Sequence, residues 1–194
     1  MTKLLNIKGS KVSLRTQLLE ARTSLSEDDF NNKNQLLTSN LTTWLDASGW
    51  KKIFSFKAFR GEPDLDLLLK KIGKIPFFFP VMTRNLRAID FYRWELGQPL
   101  QPNKYGINEP EPLQSNLSTP DQQTLIIVPC LACSTNGTRL GYGGGYYDRY
   151  LERYPDAVTI GVVFSDFLIE GLPRQAHDKK LRFIATEHKI ISCS

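Results

Sequence analysis

Gly141, Gly143, Gly144 and Gly145 follow Arg139 closely and run directly into Tyr146, Tyr147 and Asp148. Glycines reach backbone dihedrals closed to other residues and let several N–H groups converge on one anion. A helix starting near Tyr146 adds unpaired first-turn N–H groups and a favourable dipole at the same place. Arg139 supplies a planar guanidinium matched to phosphate oxygens. Asp148, in that first turn, is a candidate ligand for a magnesium ion carried by the phosphates. The segment therefore reads as an anion-binding loop. A purely structural turn stays open on these residues alone, since no Walker sequence ending Gly-Lys-Ser/Thr is present. The glycine spacing does not match the dinucleotide fingerprint either. Tyr142, Tyr146 and Tyr147 fit core packing as well as a stacking surface for a flat ligand.

The elements that must position this loop belong to a chain of 194 residues, 41% hydrophobic and 23% charged. That length and balance predict one domain over 1–194 with a substantial core. No apolar run approaches the roughly 20 residues that cross a bilayer. The first ten residues lack a signal-peptide pattern, so a cytoplasmic, non-membrane protein is expected. Three cysteines make no disulfide framework. Cys130 and Cys133 have the spacing of a metal or redox half-site, but no second clustered pair completes four ligands, and they read as packing thiols. The net charge of +5 is spread over separate clusters such as Lys51-Lys52 and Lys179-Lys180. It reads as solvated surface, and no nucleic-acid partner is expected.

Apolar periodicity predicts a helix over 11–22, with Leu14, Leu18 and Leu19 on one side and Lys11, Arg15 and Arg22 on the more polar side. A second helix begins near Ser26, with Glu27, Asp28 and Asp29 in its first turn. A strand over 52–56, a turn at 60–63, a helix capped by Asp64 and ending near Gly73, and a buried strand at 76–80 open an α/β layout. A strand over 86–94 precedes an irregular excursion, 97–117, carrying Pro99, Pro102, Pro110 and Pro112. Residues 124–129 have central-strand character. A helix at 146–153 and strands at 158–164 and 182–186 complete a layered, mostly parallel sheet with helices on both faces, Rossmann-like without the dinucleotide fingerprint.

The run Arg-Leu-Gly-Tyr-Gly-Gly-Gly-Tyr-Tyr-Asp-Arg at 139–149, preceded by Ile-Ile-Val-Pro-Cys-Leu-Ala, resembles the signature of the 5-formyltetrahydrofolate cyclo-ligase family. The likeness extends from Lys11 and Arg15 to the tail containing Pro173, His177, Asp178 and Thr186. It implies a cytoplasmic, monomeric, magnesium-dependent α/β enzyme that converts 5-formyltetrahydrofolate and ATP to 5,10-methenyltetrahydrofolate, ADP and phosphate. By resemblance, Lys11, Arg15 and Arg139 are the catalytic cations on the nucleotide phosphates, with Gly141, Gly143, Gly144 and Gly145 around them. Glu62 would hold the pterin. Tyr105, Tyr142 and Tyr146, with Gly143 to Gly145, would line the folate side. Asp148 and Asp178 would be the metal ligands.

Two stretches depart from the family pattern. Cys133-Ser134 stands where Phe-Asp is common, which removes a carboxylate from the lead-in to the loop and puts its anchoring in question. Phe56-Lys57-Ala58-Phe59-Arg60 replaces a Leu-Ser-containing approach to the pterin acid, and Lys57 bears on the folate pocket. These departures leave open a second reading, a weak or inactive relative that binds folate or nucleotide in regulation. A nucleic-acid module using the basic surface is a third and weaker one.

Overall fold

The computed structural model describes residues 10–83 and 87–193. The N-terminal stretch read for a leader, and Leu86 of the expected strand, lie outside the described residues. Helix α1 (Lys11–Thr23) starts where the Ser10 side chain accepts the Ser13 N–H. Helix α2 (Glu27–Ser48) is capped in the same way by Ser26, and its three acidic first-turn residues complement the helix dipole. Gly49 ends it in the left-handed conformation that glycine adopts most readily.

Strand β1 (Lys52–Phe54) leads through helix α3 (Asp66–Lys71) to β2 (Phe77–Met82) and β3 (Ile89–Trp94). The cap of α3 is Leu65, without a side-chain bond; Asp64 instead accepts the Asp66 N–H from one residue earlier. The excursion is not featureless. Strands β4 (Gln101–Pro102) and β5 (Asn108–Glu109) pair within it, and β6 (Leu117–Ser118) joins β3. After them come β7 (Thr124–Pro129), the small pair β8 (Ala132–Cys133) and β9 (Arg139–Leu140), and helix α4 (Tyr146–Arg153). Strands β10 (Val158–Val162), β11 (Phe183–Ala185) and β12 (Ile190–Ser192) close the chain.

The main sheet runs β12-β11-β10-β7-β1-β2-β3-β6. Strands β11, β10, β7, β1 and β2 are parallel, whereas β12, β3 and β6 add antiparallel edges. Helices cover both faces. Leu125, Ile126, Ile127 and Val128 of β7 are completely buried between β10 and β1, as expected for a strand covered on both sides. Phe54 stacks on Phe91 at 4.6 Å, and Tyr150 of α4 packs on Phe91 at 5.0 Å. The chain moves from β1 to β2 on one side and from β7 to β10 on the other. Strand order therefore reverses between β1 and β7, the position at which open α/β sheets place their ligand crevice.

Candidate active site

A cleft of about 730 Å³ opens at the carboxyl ends of β1, β2 and β7, where Phe56, Met82 and Pro129 line it. The β4–β5 hairpin folds over it. Glu109 accepts the Met82 N–H at 3.1 Å and the Asn103 side-chain amide at 2.7 Å, tying the hairpin to β2. The cleft gathers every site residue expected from the sequence: Lys11, Arg15, Glu62, Tyr105, Arg139, Gly141, Tyr142, Gly143, Gly144, Gly145, Tyr146, Asp148 and Asp178.

At one end, cations and carboxylates interleave. Lys11 Nζ lies 2.5 Å from Asp178, and Arg139 Nη2 lies 2.7 Å from Asp148. Burial opposes ionisation of Asp178, but the Lys11 ammonium holds it below the ordinary carboxylate range. Arg139 is only 7% exposed, and its Nε has no partner among the described residues. Arg15 Nε donates to Gly141 O at 2.8 Å. Two glycines have steric reasons to be there. A side chain on Gly143, at φ +95°, would meet the Arg15 guanidinium at 3.0 Å. One on Gly141 would fall 3.3 Å from Arg139 Nη1. Helix α4 begins after Gly145 with no side-chain cap, so its first-turn N–H groups face the same end of the cleft.

The other end is built around an acid. Glu62 is 3% exposed and accepts the Phe59 N–H at 2.9 Å. Burial pushes its carboxyl up to about 7, against the opposing pull of Arg22, the Phe59 N–H and the Tyr142 hydroxyl. Arg22 is itself 2% exposed. Its Nη1 donates to Cys130 O at 3.0 Å, its Nε to Arg60 O at 3.1 Å and its Nη2 to the Tyr142 hydroxyl. That hydroxyl also reaches Phe59 O at 3.2 Å, and burial next to Glu62 pushes it up to about 12. Tyr105 and Tyr146 face one another across the mouth through their hydroxyls. Arg149 lies over the Tyr146 ring and donates to Gly144 O at 2.7 Å.

The two departures from the family pattern find physical answers. Ser134 donates to Glu170 at 2.7 Å, and the Thr135 N–H donates to the same carboxylate at 3.0 Å. The turn after position 134 is thus tied to a carboxylate from a distant residue. Lys57 pairs with Asp66 at 2.8 Å and lies 4.6 Å from the Trp94 ring centroid and 5.0 Å from that of Phe79. It is therefore pinned along the aromatic wall. Cys130 and Cys133 are buried thiols pressed against Gly161. Burial, with Cys130 beside it, raises Cys133 well above the ordinary thiol range, consistent with packing.

Arg22, Asn103 and Glu109 were not singled out from the sequence as site residues. For Arg22 a signal existed. Lys11, Arg15 and Arg22 stand at i, i+4 and i+11, one stripe of α1; Lys11 and Arg15 line the cleft, and Arg22 bonds to segments behind it. The roles of Asn103 and Glu109 depend on a hairpin that crosses to β2, and no local pattern announces it.

A switch-point cleft edged by a glycine-rich loop and a helix N-terminus defines an α/β protein of the small-ligand-binding kind. The family model for the 5-formyltetrahydrofolate cyclo-ligase family matches residues 7–187, and the chain belongs to that family. It is 31% identical over 185 residues to the 5-formyltetrahydrofolate cyclo-ligase of Mycolicibacterium smegmatis, covering 91% of this chain and 93% of that one. The solved 5,10-methenyltetrahydrofolate synthetase of Aquifex aeolicus superposes with a TM-score of 0.81 at 30% identity, covering 94% and 92% of the two chains. The Mycoplasma pneumoniae synthetase shares the fold, with a TM-score of 0.75 at 22% identity over 92% of this chain and 99% of that one.

Proposed function

We propose that this protein uses ATP to cyclise 5-formyltetrahydrofolate to 5,10-methenyltetrahydrofolate, releasing ADP and phosphate. The observation that carries this reading is the two-ended cleft, with cations and a glycine-rich loop at one end and a buried acid at the other. The formyl oxygen of the substrate is a poor leaving group. Transfer of the γ-phosphoryl group to it forms an N5-iminium phosphate. Nitrogen 10 attacks the same carbon and loses its proton as phosphate departs with the C–O bond, which closes the five-membered ring.

In this reading Lys11, Arg15 and Arg139 stabilise charge on the transferring phosphoryl group, aided by N–H groups of the loop and of α4. Glu62 accepts hydrogen bonds from the pterin donors and orients the formyl group in line with ATP. Tyr105, Tyr142 and Tyr146 line the junction between the substrates. Among the described residues no three His, Cys, Asp or Glu side chains group to hold a metal unaided. Asp148 and Asp178 suit magnesium held chiefly through phosphate oxygens. When bound there, the ion would neutralise phosphate charge and fix the phosphate geometry. We extend the reading to a monomer working in the cytoplasm; no described helix is long and apolar enough to cross a membrane.

The test is turnover with ATP, magnesium and 5-formyltetrahydrofolate together. ATP is expected to be consumed only with the folate present, with one methenyl product formed per ADP. Tight binding of both ligands by folded protein without product would sink the enzymatic reading in favour of a regulatory binder.

A further inference from the structure

Arg22 spends its donors on three separate segments. It reaches Arg60 O in the turn that carries Glu62, Cys130 O just past the end of β7, and the Tyr142 hydroxyl of the glycine-rich loop. Arg60 sits at φ +50°, a strained conformation for a residue with a side chain, so its carbonyl is held where relaxed backbone would seldom put it. Gly61, at φ +72°, packs its backbone against Arg22, where an added Cβ would lie 3.4 Å from Arg22 O. None of these contacts is made directly with Lys11, Arg15 or Arg139, although Tyr142 stands between Gly141 and Gly143, which adjoin Arg15. The buried end of α1 thus clamps the acid-bearing wall, while the first turns of the same helix carry the two cations.

We infer that Arg22 is a positioning residue for folate: it clasps the Glu62 turn, the β7 end and Tyr142 into one rigid pocket wall. This inference rests on Glu62 being the pterin-binding acid. The clasp also supplies the positive charge that faces the Glu62 carboxylate. The other titratable groups facing Glu62 are Tyr142 from the loop and Tyr147 from α4, both pushed upward by burial and by Glu62 itself. Arg22 is the cation among the groups that act on the carboxyl. Without it the carboxyl would take up its proton at higher pH and the turn would lose its tie to the loop. An Arg22→Lys change keeps the charge but cannot span three acceptors with a planar fork.

The experiment measures KM for each substrate in Arg22→Gln and Arg22→Lys, alongside a carbon-13 titration of Glu62 in the ligand-free proteins. Circular dichroism first establishes that each is folded. In Arg22→Gln, KM for 5-formyltetrahydrofolate should rise about tenfold or more at pH 7, with KM for ATP within about twofold of the parent. The Glu62 midpoint should move up. Arg22→Lys should keep the midpoint near that of the parent and still raise the folate KM. If Arg22→Gln does not fold, Arg22→Lys carries the test through the same folate-against-ATP split. A parallel rise in both KM values, or an unmoved midpoint in folded Arg22→Gln, would overturn the clasp. Parental folate KM in Glu62→Gln would instead overturn the pterin assignment, and the midpoint shift alone would then decide whether Arg22 governs the Glu62 wall.

Discussion

Enclosing Glu62 makes the stability of the protein depend on the pH at which this carboxyl ionises. Its ordinary value of 4.5 applies to the unfolded chain, and the folded value is about 7. Between those limits the folded state binds the proton more tightly, so stability falls as pH rises from 4.5 and levels off above about 7. The difference corresponds to about 3 kcal/mol. Glu62→Gln carries no titrating proton at this position. Its stability relative to the parent should improve by about that amount between pH 4.5 and 8, read from urea unfolding at a series of pH values. A constant difference across the range would mean that the carboxyl ionises freely in the folded state. The substitution expected to weaken folate recognition should therefore gain stability relative to the parent as pH rises.

At the scale of elements, the turn joining β8 to β9 is tied to the Glu170 carboxylate, and Arg139 stands on the strand that follows it. Glu170→Ala removes the acceptor for both Ser134 and the Thr135 N–H. The expected cost is about 1 kcal/mol at this exposed site, with KM for ATP raised a few-fold and KM for folate unchanged. Unaltered ATP kinetics would mean that the β8–β9 pair holds the turn without help. The sequence disclosed elements whose cause is local. Ser10 and Ser26 cap their helices, the unbroken apolar run at 124–129 is the central strand, and the four glycines sit beside a helix start. It did not disclose the antiparallel edges, because β6 and β12 have two and three residues and little pattern of their own. The β4–β5 hairpin was hidden among prolines because its anchor, Glu109 on the Met82 N–H, is a tertiary contact. The burial of Arg22 was equally hidden, since its acceptors are two backbone carbonyls and a hydroxyl from three distant segments. Of the cleft, the glycine-rich end was legible from motif chemistry, whereas the contacts of Arg22 behind Glu62 required the folded chain.

For the molecule as a whole, ligand binding should appear as stability. Magnesium and ATP together, at about one hundred times their dissociation constant, should raise Tm by about 5–10 °C. Magnesium alone or inorganic phosphate alone should leave Tm within about 1 °C of its starting value, and a chelator should abolish the effect of ATP. Thermal unfolding followed by circular dichroism reads all four conditions, and a full shift with phosphate alone would contradict the expectation. The reason lies in the pairing of Lys11 with Asp178 and of Arg139 with Asp148. A lone anion would have to pull each cation from its carboxylate and strand a negative charge in a half-buried cleft, and a lone metal ion would strand the positive ones. Only a visitor bringing both signs lets all four side chains change partners at once, as couples do in a dance. On the proposed reading the cleft should therefore take a metal–nucleotide complex as a unit and bind its separate components poorly.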